Sequence, residues 1–182
     1  ISGSNSHYTG AAATFTPAQP SYVSWRVRTP ALLGSGQGNG YFVLGDASTP
    51  TNNGIVFAFF SGTSGGLNFY VNASINYTYP GTLANTWYHV ELKNINWTTK
   101  NFDIWINGTQ VQTAFPFRST ATTAVSNLYL YNFTLSTTGH YDEIILDAPP
   151  ASGGEIAVDG NGVDITDGDS APGMADHTDF GC

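Results

Sequence analysis

The chain predicts an all-β fold, with antiparallel strands forming either two packed sheets or a barrel. Three observations lead there. Thr, Tyr, Phe and Val are plentiful, 21 glycines punctuate the chain, and charged residues make up 10% against a usual level of about 25%. That is the composition of strands joined by Gly- and Asn-rich turns. The stretch from Thr86 to Gly108 reads as two strands around the polar turn Thr98-Thr99-Lys100-Asn101. Tyr88, Val90 and Leu92, then Phe102, Ile104 and Ile106, recur at every second position, so each strand has an apolar face that a second layer must cover. Finally, about ten short runs of this kind follow one another, none with a helical period.

Residues 1–11 are rich in Ser, Gly and Asn and read as a loose lead-in. Ala12–Thr16 is an edge strand, halted by Pro17 and Pro20. In Ser21–Thr29, Val23, Trp25 and Val27 face one way, and Ser24, Arg26 and Arg28 the other. Gly34–Gly40 is a turn, too irregular to cradle a phosphate and with no helix after it. Tyr41–Leu44 is a strand, Thr49–Gly54 a polar loop. Ile55–Ser61 is almost wholly apolar, as a strand buried on both faces would be. Leu67–Val71 and the weaker Ser74–Tyr79 precede the central hairpin, and Thr109–Thr113 extends it to a three-stranded meander. Ala124–Phe133 sets Leu128 and Leu130 opposite Tyr129 and Tyr131, with Val125 off the alternation. Tyr141–Asp147 closes the set, with Ile144 and Leu146 on one face beside Asp142.

Residues 148–154 have the Pro/Gly/Ser composition of a linker. The rest, 155–182, is acidic, rich in glycine and too poor in large apolar residues to pack its own core. The expected organisation is therefore a sandwich domain over 1–147 and a linker with an acidic tail over 148–182.

Net charge is −8, with Arg26, Arg28, Lys93, Lys100 and Arg118 as the only basic residues. Nucleic acid and anionic lipid are excluded as partners by repulsion, and a strongly sulfated glycan is disfavoured unless a basic patch or cation intervenes. No apolar run approaches the roughly 20 residues of a membrane span. The single cysteine, Cys182, allows no disulfide within the chain; with few charges and many Thr and Asn, a secreted or cell-surface protein is expected. The start at Ile1, with neither Met nor an apolar leader, reads as a mature or excised fragment. The sequons at Asn72, Asn76, Asn96, Asn107 and Asn132 are what chance yields in so Asn- and Thr-rich a chain.

Catalysis finds little support. Glycoside hydrolysis needs two facing carboxylates, but Asp142 and Glu143 are adjacent, and Glu91 and Asp103 sit among Lys93 and Lys100 as a surface charge cluster. The histidines, His7, His89, His140 and His177, accompany no nucleophile motif. Zinc is not indicated by scattered histidines and one terminal cysteine. Calcium suits the run Asp159, Asn161, Asp164, Asp167 and Asp169, whose oxygens lie at short spacing; an acidic solvated linker is the competing reading. For binding, Trp105, Tyr129 and Tyr131 should face outward together. With His89, Asp103 and Asn107 beside them they would form a strip offering flat rings to sugar C–H groups. The competing reading makes these rings satellite core under loops.

The segments Trp87-Tyr88-His89-Val90-Glu91, Phe102 to Gly108, Leu128-Tyr129-Leu130-Tyr131-Asn132 and Tyr141-Asp142-Glu143-Ile144, in that order, resemble the laminin-G-like, concanavalin-A-like jelly roll over about residues 12–147. The resemblance implies a two-sheet antiparallel sandwich rather than a barrel. It also implies a structural calcium at Asp142, joined by Asp46. The glycanases of that superfamily carry a strand of spaced acids that this chain lacks. The tail resembles the opening of an immunoglobulin-like repeat of large bacterial surface proteins, which implies a multidomain parent. The resulting expectation is a non-catalytic carbohydrate-binding module. The alternative is a structural or adhesion module that self-associates or packs on neighbouring surface-protein domains.

Overall fold

The computed structural model describes residues 1–46, 54–135 and 137–147, and the backbone of Ile156–Val158 and Asp164–Thr166. The chain divides into two units, Ile1–Asp147 and Ala148–Cys182. In the second, β12 (Ile156–Val158) pairs antiparallel with β13 (Asp164–Thr166).

Among its described residues the first unit holds eleven strands: β1 (Gly10–Ala18), β2 (Tyr22–Arg28), β3 (Gly38–Gly45), β4 (Gly54–Ser61), β5 (Gly66–Val71), β6 (Ser74–Pro80), β7 (Tyr88–Asn96), β8 (Asn101–Ile106), β9 (Thr109–Pro116), β10 (Val125–Tyr131) and β11 (His140–Asp147). They form two antiparallel sheets, ordered β1-β10-β3-β4-β5-β6 and β11-β2-β7-β8-β9. This is a two-sheet sandwich of jelly-roll type, and its open edges exclude a barrel. The described residues include no helix.

Alternation builds the core. Val23, Trp25 and Val27 of β2, Tyr88, Val90 and Leu92 of β7, and Phe102, Ile104 and Ile106 of β8 point inward from the five-stranded sheet. Phe42 and Leu44, Ala58 and Phe60, and Leu67 and Phe69 meet them from β3, β4 and β5. Trp25 stacks on Phe42 across the gap, ring centroids 3.9 Å apart. Each such side chain contributes about 2 kcal/mol by leaving water.

Three departures from the expected elements have physical causes. β3 starts at Gly38, inside the expected glycine turn. Gly40 takes φ +63, and the register to β4 slips between Asn39 and Phe42, so a bulge carries the strand through its glycines. In β11 a second bulge lies between Asp142 and Ile145, with Glu143 at φ +46. It resets the alternation. Tyr141, Ile144 and Leu146 pack on the core, while Asp142 and Glu143 are both exposed, so Asp142 does not share a face with Ile144 and Leu146. Residues 1–11 are not loose throughout: Ser2 bridges Thr138 and Gly3 bridges Asn132. Backbone pairing of this kind leaves no mark in the side-chain pattern.

Candidate functional site

The expected strip of six residues does not exist as one surface. Trp105, Asp103 and His89 alternate with core residues of β7 and β8, and with Asn107 they belong to the five-stranded sheet. Tyr129 and Tyr131 lie in β10, between β1 and β3 of the other sheet. The two groups therefore occupy opposite outer faces of the sandwich. Alternation tells inward from outward; it does not say which sheet a strand joins.

On the five-stranded side Asp103 and Asn107 are already engaged, while Trp105 Nε1 is buried without an acceptor. The carboxylate of Asp103 accepts from Asn94 Nδ2 and the Ala114 N–H, both at 2.8 Å. The Asn107 side-chain oxygen accepts from the His89 N–H at 2.9 Å, which ties the β8–β9 turn to β7. Lys93 Nζ lies 4.4 Å from the Trp105 ring centroid and 3.0 Å from Glu91. The ring thus has a cation on one face. Glu91 also accepts from the Tyr22 hydroxyl at 2.9 Å.

The outer face of the six-stranded sheet is different. Where Phe42 and Leu44 turn inward, Tyr41 and Val43 turn out; Phe57 and Phe59 of β4 and Tyr131 of β10 join them in a second apolar cluster. Tyr41 lies between Phe59 at 4.6 Å and Tyr131 at 4.5 Å, nearly parallel to both. Tyr131 is wholly buried, so it supports this surface and offers no ring to a ligand. Tyr129 is half-buried beside Tyr8. The lead-in crosses here: His7 stacks on Phe133 at 4.5 Å, and its Nδ1 is 3.1 Å from the Tyr131 hydroxyl.

Between the lead-in and β5 lies a pocket of about 260 Å³, lined by His7, Tyr8, Tyr41, Phe57, Phe59, Tyr70, Ala73 and Arg118. Arg118 arrives from β9. Phe117 is buried in the core, and the next residue turns out, anchored by its N–H to Ile55 O at 3.0 Å and by its carbonyl to the Asn72 N–H at 2.7 Å. Its guanidinium carbon sits 4.2 Å from the Phe57 ring centroid. The residue is 7% exposed, and Nε and Nη1 are buried without a hydrogen-bond acceptor. Among the described residues no carboxylate is within ion-pair distance of it.

Burial lowers the Arg118 pKa from its usual value, yet a guanidinium stays protonated at neutral pH. Burial likewise lowers His7, which favours a neutral imidazole, and raises Tyr41 and Tyr131, which keep their protons. The pocket therefore presents aromatic faces, hydroxyls and one cation. Sequence reasoning passed over Tyr41, Phe57, Phe59, Tyr70 and Arg118. The available signal was the run Ile55–Ser61: a strand apolar on both faces requires a second cluster outside the main core.

Of the expected metal ligands, Asp142 is exposed and accepts from the Glu143 N–H at 2.9 Å, and Asp46 follows β3, half-buried. No group of three or more His, Cys, Asp or Glu is gathered among the described residues. Asp159, Asn161, Asp167 and Asp169 lie outside them, and Asp164 is described only as backbone. Of the acids weighed for hydrolysis, Glu91 pairs with Lys93 and Glu143 with Arg26 Nε at 2.5 Å.

No protein-family model matches the chain, and no curated protein matches it. Solved structures do match. The globular domain of T. cruzi calreticulin superposes with a TM-score of 0.52 at 11% identity, covering 73% of this chain and 66% of that one. A tetrameric galectin from the ball sponge Cinachyrella sp. gives 0.51 at 13% identity, covering 75% and 98%. A sialidase gives 0.51 at 11% identity; it covers 68% of this chain, which spans 10% of the sialidase. The likeness is one of fold, a galectin-like β-sandwich.

Proposed function

We propose that the chain is a non-catalytic carbohydrate-binding module of a secreted or cell-surface protein, and that the aromatic pocket of the six-stranded sheet is its site. The observation that supports this is the juxtaposition of Tyr41, Phe57, Phe59 and Tyr70 with the Arg118 guanidinium around one open cavity. Sugars need apolar faces for their C–H groups and a few placed polar groups for their hydroxyls. A sandwich shared with a galectin is consistent with that use. In this reading the acidic run 159–169 keeps its assignment to calcium on oxygen chemistry and Asp142 with Asp46 on the jelly-roll resemblance, and the parent is a bacterial multidomain protein in which an immunoglobulin-like module follows.

The test is a glycan array with and without calcium, run on the whole chain and two variants. Ala73→Trp fills the pocket from an exposed turn and should abolish binding; Trp105→Ala should leave it intact. The reverse pattern would move the site to the five-stranded sheet. Sugar release from any polysaccharide would contradict the non-catalytic reading.

A second reading, a self-associating structural module, draws on β1. This edge strand, Gly10–Ala18, carries no charged residue, and an uncharged edge is a template for another strand. Concentration-dependent sedimentation that disappears in Ala12→Lys, together with an empty glycan array, would favour it.

A further inference from the structure

We infer that the pocket selects sugars bearing a carboxylate, such as a uronic or sialic acid residue. This rests on the carbohydrate reading of the same site and goes beyond it in naming the substrate class. A buried charge without a counter-charge is costly; the Phe57 and Tyr70 rings offset part of that cost for Arg118, and a bound anion would offset the rest. Arg118 is more than nine-tenths buried, two of its nitrogens lack acceptors, and no ion pair reaches it among the described residues.

The pocket's composition narrows the anion. Among the described residues no Asp or Glu lines it, and beside Arg118 the only other basic group there is the His7 imidazole. One guanidinium matches one planar carboxylate. A phosphate or a sulfated chain, carrying more charge, would meet a single cation on a molecule of net charge −8, and a chain that acidic repels polyanions at range. The rings fix the rest: Tyr41, Phe57 and Phe59 form the buried floor and the half-buried Tyr8 and Tyr70 the open apolar wall that a bare anion such as acetate would leave wet, so a pyranose face should stack there while its carboxylate meets Arg118.

Titration calorimetry on the whole chain tests this with methyl glucuronide and the methyl glycoside of N-acetylneuraminic acid, against methyl glucoside, methyl galactoside, sodium acetate and inorganic phosphate. The acid sugars should bind about tenfold more tightly than the neutral ones, the scale of one charge-assisted pair. Arg118→Gln should erase that preference, the acid sugars losing about tenfold in affinity relative to the neutral ones. Equal affinity for acid and neutral sugars would overturn the inference and leave the carbohydrate site standing. Phosphate or acetate matching the acid sugars would also overturn it, as a general anion site. Binding of no sugar would overturn both readings. Because Arg118→Gln removes a buried group, Ala73→Trp is the companion: acid-sugar binding that survives it places the site elsewhere and defeats the inference.

Discussion

Tyr141 sits on an edge strand of the five-stranded sheet, and its hydroxyl reaches the other sheet, 3.0 Å from Tyr41 O and 2.9 Å from Tyr131 O. One O–H thus serves two carbonyls directly behind the aromatic cluster. Tyr141→Phe should cost about 1–2 kcal/mol, read as a lower urea midpoint, and should loosen the packing of Tyr41 and Tyr131. An unchanged midpoint would mean that the contact contributes nothing. Two glycines make a paired test of backbone and packing. Gly36 (φ +80) and Gly40 (φ +63) both occupy the left-handed region, but a Cβ on Gly36 meets nothing within 4 Å, whereas one on Gly40 lies 2.8 Å from Phe60 and 3.1 Å from Val27. Gly36→Ala should cost about 1–2 kcal/mol from backbone strain. Gly40→Ala should add about 1–3 kcal/mol of overpacking. Equal melting temperatures for the two would remove the packing argument. Asn132 shows why a sequon is not a site: it is wholly buried, its side-chain oxygen accepts from the Gly40 N–H, and its amide donates to the Ile1 carbonyl.

At the scale of elements, the β7–β8 hairpin was legible because each strand has one buried face and period two reports it. Val90 and Ile104 are both wholly buried, so Val90→Asp should abolish folding by placing an unpaired charge between the sheets. Soluble protein with a cooperative melt would refute the facing. The double-sided burial of β4 was equally readable in its composition. Other features were not. Which sheet β10 joins depends on pairing with β1 and β3, such as Gly10 with Tyr131 and Tyr41 with Tyr131, contacts remote in sequence that no local pattern encodes, and this one ambiguity placed Tyr129 and Tyr131 beside Trp105. The bulge at Glu143 inserts a residue into an otherwise regular alternation. Arg118 stands just past the end of β9, where period-two reasoning stops, so its entry into the aromatic pocket had no sequence signature beyond its being one of five basic residues.

At the scale of the molecule, acid acts through opposing effects whose balance can be measured. Burial holds His7 below the ordinary histidine value of 6.5, and burial, reinforced by the charge of Arg28, does the same for the half-buried His140. The unfolded chain therefore binds protons that the fold refuses, so stability present above pH 6.5 is lost as pH falls through the lowered values. Glu91 acts further down. Burial alone would raise it, but its hydrogen bonds and charge interaction with Lys93 and its bond from Tyr22 prevail and leave it lowered. Its contribution is complete above the ordinary carboxylate range and disappears as pH falls through the depressed value. Against both runs the net charge of −8, whose self-repulsion weakens on acidification and so favours the compact state. With charged residues at 10% and most of them screened in salt, the specific groups should win. The melting temperature should then fall between pH 7 and pH 5. In the double variant His7→Gln, His140→Gln that fall should vanish or reverse, because only the relief of self-repulsion remains. Glu91→Gln should instead flatten the curve below pH 4 and leave the upper step unchanged. A double variant that loses as much stability as the parent between pH 7 and pH 5 would show that the acid response belongs to other groups.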